Sequence, residues 1–200
     1  MTNLRVPALT AAAMLTLGAL INPGCATIGA VNYPPVEGDT ISHSVNNSPV
    51  PQLLISALSY AVRRYPPVNS PQPGVQYEQD FAINLPVGMQ ENSTRWIIGE
   101  VSPHAHPLTA ATLDLPRYHV VGIRVRGGAA TVDIIHPVYA LSDPEAQPIY
   151  QGITLDCRGL DHPWTVVNVK PFPIGSPGLP ADNVVPESWE NPEQPRVVPR

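Results

Sequence analysis

Six histidines and two cysteines are the side chains of this sequence best equipped for chemistry, and their spacing says which chemistry. His104 and His106 form an H-x-H between Pro103 and Pro107. On an extended strand that spacing points both rings to one side, which is how paired histidines reach a metal ion. Asp114 and His119 are the candidates to complete such a site. A proline-bounded loop ordinarily carries histidines as solvated surface residues, so the expectation is no metal site and no cofactor, with His104, His106 and Asp114 kept as the metal candidates. His119 and His136 fall near the open end of a hairpin, and His162 in a later turn. Cys157 and His162 would form a nucleophile pair only if something activated the thiol, and a strand followed by a turn offers nothing of that kind.

Other catalytic patterns are missing. Ser176 in "PIGSPGLP" lacks the G-x-S-x-G frame of a nucleophile elbow, and no phosphate-binding loop, H-E-x-x-H or dinucleotide fingerprint occurs. Asp133, Asp156 and Asp161 lie on strands and turns without a pairing that chemistry demands. Asn92-Ser93-Thr94 matches a glycosylation acceptor and reads as loop. No catalytic residue is assigned.

Cys25 sits in a different context. Arg5 precedes an apolar run from Val6 to Ile21, which stops at Asn22-Pro23-Gly24 immediately before the cysteine. A charged start, an apolar middle and a helix-breaking end are the layout of an export signal over residues 1–24. The run falls short of the roughly 20 apolar residues that span a bilayer. The small residue Gly24 before Cys25, at the end of such a run, resembles the lipobox of bacterial lipoproteins, with Asn22 standing where that motif usually has Leu. The resemblance implies that Cys25 is acylated and becomes the mature N-terminus, anchored on the periplasmic side. Ala26 resembles residues that permit outer-membrane sorting in two-membrane bacteria. Cleavage after Ala26, giving a secreted protein, and an uncleaved membrane anchor are the alternatives.

Charge and cysteine arithmetic follow from that reading. The chain carries 11 Lys and Arg against 16 Asp and Glu, net −5, and its sole lysine is Lys170. No basic stripe is available for phosphates, so nucleic acid is excluded as a partner. Removing Arg5 with the signal leaves net −6, which gives no general attraction to anionic lipid. An acylated Cys25 leaves Cys157 without a disulfide partner in an oxidising compartment, where a buried structural thiol is the safe arrangement. The alternation in "YQGITLDCRG" supports this by putting Ile153, Leu155 and Cys157 on one face.

The elements that must position these residues come next. Residues 25–47 read as a lipid-anchored flexible tether, 48–172 as a single α+β domain and 173–200 as a Pro-rich tail, the chain having 26 prolines in all. Within the domain, Ser48 is a candidate N-cap and Pro49 the first helical residue. Leu53, Leu54, Ala57, Leu58, Ala61, Val62 and Tyr65 make a 3.6-period stripe that ends at Pro66-Pro67. "FAINL" and "WIIGEV" read as short strands. "YHVVGIRVRGGAATVDIIHPV" reads as a hairpin turning at Gly127-Gly128, with Val125 opposite Ala130, Ile123 opposite Val132, Val121 opposite Ile134, and Asp133 diagonal to Arg124. "YQGITLDC" and "WTVVNV" form a second hairpin. The sum is one amphipathic helix packed on a twisted antiparallel sheet of about five or six strands. The layout over residues 48–172 is loosely similar to NTF2-like or cystatin-like α+β domains.

The functional expectation is a membrane-tethered envelope module, non-enzymatic, whose sheet face or pocket binds an envelope protein, a glycan or a small apolar ligand. The alternative is a small hydrolase-like or metal-dependent enzyme using His104, His106 and His119 or Asp114.

Overall fold

A computed structural model of the chain describes residues 30–38, 44–68, 79–138, 149–159, 163–175 and 177–190. Cys25, Asp161, His162 and Ser176 lie outside the described residues. Helix α1 runs Val50–Arg64 and buries Leu53, Leu54, Ala57, Leu58 and Ala61, the stripe that its periodicity specifies. Its N-cap is Pro49, one residue later than expected, and Val50 N–H donates to the Asn47 carbonyl. At the other end, the Arg63 guanidinium donates to the Ser59 carbonyl at 3.0 Å and Arg64 lies over the Tyr65 ring, so both cations sit where the helix dipole is negative.

A second helix corrects the one-helix expectation. α2 spans Glu91–Val101 and contains both the "WIIGEV" segment and Asn92-Ser93-Thr94. Thr94, Ile97 and Ile98 are buried at i, i+3 and i+4, and Glu91 pairs with Arg95 one turn on at 2.8 Å. Six residues taken alone hide that period, because the polar half of the helix precedes them. α1 and α2 share one hydrophobic core with Phe81, Ile83, Tyr118, Ile123, Val132, Ile134, Ile153 and Leu155 from the sheet.

Among the described residues the sheet is mixed rather than purely antiparallel and has seven strands. They are β1 Val31–Tyr33, β2 Phe81–Asn84, β3 Ala105–Pro107, β4 Arg117–Arg126, β5 Ala129–Val138, β6 Ile149–Arg158 and β7 Thr165–Pro171. Their order is β3-β2-β4-β5-β6-β7, with β2 parallel to both β3 and β4. One edge of β4 is shared: β2 pairs with its first residues and β1, antiparallel, with Ile123 to Val125. Val31–Tyr33 therefore belongs to the sheet although it falls inside the segment expected as tether. Both helices lie on one face, and among the described residues no helix covers the other.

The first hairpin turns at Gly127, with φ of +58°, and pairs Val125 with Ala130 and Ile123 with Val132 as its two-residue turn dictates. Further down the register departs from expectation, since Ile134 faces Val120 and not Val121 because a bulge falls between Val120 and Gly122. Val121 is the extra residue, and Gly122 beside it pairs so closely with Asp133 that a Cβ there would lie 2.5 Å from Asp133 Oδ2 and 3.2 Å from Asp133 Cβ. Asp133 cannot move freely, because Arg124 donates to its Oδ2 at 2.7 Å and the Thr154 hydroxyl to its Oδ1 at 2.5 Å. Gly122→Ala is expected to cost about 1–3 kcal/mol, measured by urea unfolding, with Asp133→Ala in the same background recovering part of the loss.

Residues 177–190 correct the expectation of a trailing tail. They run along the uncovered face past β2 and around the β3 edge to α2. Asn84 binds the backbone at Ala181 and Asn183, Val185 N–H donates to the Leu108 carbonyl, and the Arg95 guanidinium donates to the carbonyls of Ser188 and Trp189. A proline-rich strap cannot form a ladder, so side chains satisfy its backbone instead.

Candidate functional site

The parallel register of β2 and β3 puts Phe81 beside Ala105, and so brings Asp80 next to His104. His104 Nδ1 lies 3.1 Å from Asp80 Oδ1, and His106 Nε2 lies 3.5 Å from the same oxygen. The strap adds Glu190, whose Oε1 is 2.7 Å from His106 Nδ1. Hydrogen bonds from His104 first, and His106 second, hold the Asp80 carboxyl below the usual carboxylate range. His106 thus lies between two carboxylates, one at each ring nitrogen. Asp114 is exposed in the turn after the 3-10 segment Ala110–Thr112 and joins no such contact. Among the described residues, no group of three or more His, Cys, Asp or Glu side chains is placed to hold a metal ion.

His119 lies elsewhere, on the uncovered face under the strap. It pairs with Ile135, so His136, the next residue of β5, points to the opposite face and stacks on Tyr65 with centroids 4.4 Å apart. The described histidines therefore fall in three places: His104 and His106 together at Asp80, His119 under the strap and His136 against Tyr65. His119 Nδ1 is 3.1 Å from the Asn84 amide nitrogen. Asn84 Oδ1 accepts from Asn183 N–H at 3.0 Å, which fixes the amide orientation and makes its nitrogen the donor to His119. The His119 proton consequently sits on Nε2, which is buried without a partner. Burial, with the nearby Arg117 cation second, pushes the imidazole pKa down to about 4. At neutral pH this ring is a neutral, already engaged acceptor, and the Tyr150 ring lies edge-to-face with it at a centroid distance of 5.7 Å.

Cys157 is 1% exposed on the helix side of β6, and its Sγ lies 3.8 Å from the Leu155 carbonyl. Burial, with Asp156 nearby, pushes the thiol up to about 12, the opposite of what a nucleophile needs.

Two open grooves lie among the described residues. One, of about 360 Å³, runs between α2, β3 and the end of the strap, lined by Arg95, Ile98, Gly99, His106 and Trp189. Its ionic groups are already paired with one another or with the backbone. The other, of about 350 Å³, crosses the hairpin end of the uncovered face and is lined by Arg124, Arg126, Ala129, Thr131, Arg158 and Val167. Pleating and register explain it: Arg126, Ala129 and Arg158 form one cross-strand row and Arg124, Thr131 and Asp156 the next, so two arginines flank a methyl group.

No family model, curated protein or solved structure matches this chain. The site thus rests on its own geometry. Asp80, Glu190 and the Arg126–Arg158 pair escape a reading of the sequence because their partners are remote in the chain. The available local signal was the alternation of Arg124 and Arg126 on one face of a hairpin with a known register.

Proposed function

We propose that the chain is an exported envelope protein, held to the membrane on the periplasmic side by lipid on Cys25, whose body is a non-enzymatic binding module. The observation that carries the binding half is the open groove at the hairpin end, where cationic, polar and apolar groups reach solvent together. The His104 and His106 rings, by contrast, are engaged by carboxylates, and His119 is enclosed. The lipid half rests on the Arg5, Val6–Ile21 and Gly24-Cys25 pattern. Intact mass spectrometry of the mature protein is expected to show a chain starting at Cys25 with acyl groups added. An unmodified cysteine retained in the chain overturns the anchor. Stoichiometric zinc that disappears in a His104→Ala/His106→Ala variant overturns the non-enzymatic reading.

A further inference from the structure

We propose that the hairpin end of the sheet docks on the bilayer, with Arg126 and Arg158 binding the phosphates of anionic lipid headgroups. The inference rests on the lipid anchor at Cys25. Six residue steps separate Cys25 from Val31, a reach of at most about 22 Å. Val31 pairs with Val125, so the chain joins the body at the hairpin end of β4. The other end of β4, at Arg117, lies roughly 30 Å away along the strand. An anchored chain therefore presents the hairpin end to the membrane, closer than a tether of residues 25–47 would hold it.

The chemistry of that end fits the surface it meets. Arg126 is braced from β1: its guanidinium donates to Asn32 Oδ1 at 2.9 Å and to the Val125 carbonyl at 2.7 Å. The Arg158 side chain makes no hydrogen bond or ion pair among the described residues, and Ala129 between the two arginines leaves room for an oxyanion. The nearest described acids are paired with other cations: Asp156, which lines the same groove one row further down, with Lys170 at 2.8 Å, and Asp133 with Arg124 at 2.7 Å. Val167 stands 57% exposed where the β6–β7 register shifts, an apolar contact at the same rim. Guanidinium forks match phosphate oxygens bidentately, and basic side chains at an anionic surface act within a Debye length. The net charge of the whole chain, −5, conceals this local excess of cations.

The test uses the mature lipidated protein carrying Val167→Cys with an environment-sensitive fluorophore; the buried Cys157 thiol stays unlabelled. The protein is inserted in phosphatidylcholine vesicles with or without phosphatidylglycerol. Blue-shifted emission, quenched by lipid-borne nitroxides, is expected only with phosphatidylglycerol and is reversed by high salt. Arg158→Gln, which removes no hydrogen bond or ion pair among the described residues, is expected to weaken the response roughly fivefold, and Arg126→Gln/Arg158→Gln to abolish it. A label equally exposed to water on both vesicles, on a protein whose mass shows acylated Cys25, overturns docking alone. An unacylated Cys25 in the same mass measurement overturns the anchor and docking with it. A response to inorganic phosphate on phosphatidylcholine, with none to phosphatidylglycerol, assigns the arginines to a soluble anion and also overturns docking.

Discussion

Lowering the pH from about 6.5 to about 4 is expected to remove about 3 kcal/mol of folding stability through His119 alone. The ring is fully buried, and its Nδ1 already accepts from Asn84, so a proton there would set N–H against N–H. The folded chain thus keeps His119 neutral down to about 4, whereas an unfolded chain takes up the proton near 6.5. Between those values the unfolded state binds more protons, so stability is full above the upper one and falls as pH drops to the lower one. His136 acts in the same direction, its pKa lowered by burial between β5 and Tyr65. Urea unfolding across this pH range reads the slope, and His119→Gln is expected to flatten most of it. An unchanged slope in that variant would show that the proton goes elsewhere.

Asn84→Ala is expected to cost about 2–4 kcal/mol and to release the strap. Asn84 is 4% exposed and ties β2, β4 and the strap together. Its amide nitrogen donates to His119 Nδ1 and to the Ala181 carbonyl, both at 3.1 Å, and its oxygen accepts from Asn183 N–H at 3.0 Å. Truncation strands three buried or half-buried polar groups at once, which costs more than the bonds contribute net. Asp182→Asn is the control, because the Arg117–Asp182 pair at 2.8 Å is partly exposed and contributes at most about 1 kcal/mol. Limited proteolysis is expected to cut within residues 177–190 in Asn84→Ala and to spare the control. Equal cleavage of the two, with unfolding midpoints that coincide, would remove Asn84 as the clasp.

The structure also shows why some elements were legible beforehand. The stripe of α1 has six residues in the helix and Tyr65 at its C-cap, between two proline-marked ends, and the first hairpin has a two-residue turn that leaves little choice of register. "WIIGEV" was misread as a strand because its helical partners, Glu91 and Thr94, lie upstream of the apolar cluster, while Gly99 weakens the helical signal. The strap was misread because composition reports only that prolines cannot pair. It does not report that Asn84 and Arg95 wait in the body to satisfy the strap's backbone.

By itself, then, the sequence determined the α+β class, the helix that covers the core, the inward face of Ile153, Leu155 and Cys157, and the hairpin register as far as the bulge. Each of these depends on periodicity or turn length within a few consecutive residues. Only the tertiary structure decided that His104 and His106 meet Asp80 and Glu190 and not Asp114. The same is true of His119 closing under Asn84, and of Arg126 and Arg158 meeting across a methyl group beside the strand that follows Cys25. Those arrangements depend on which strands become neighbours and where the chain returns, and that choice is made by packing between segments as many as 99 residues apart, as Asn84 and Asn183 are.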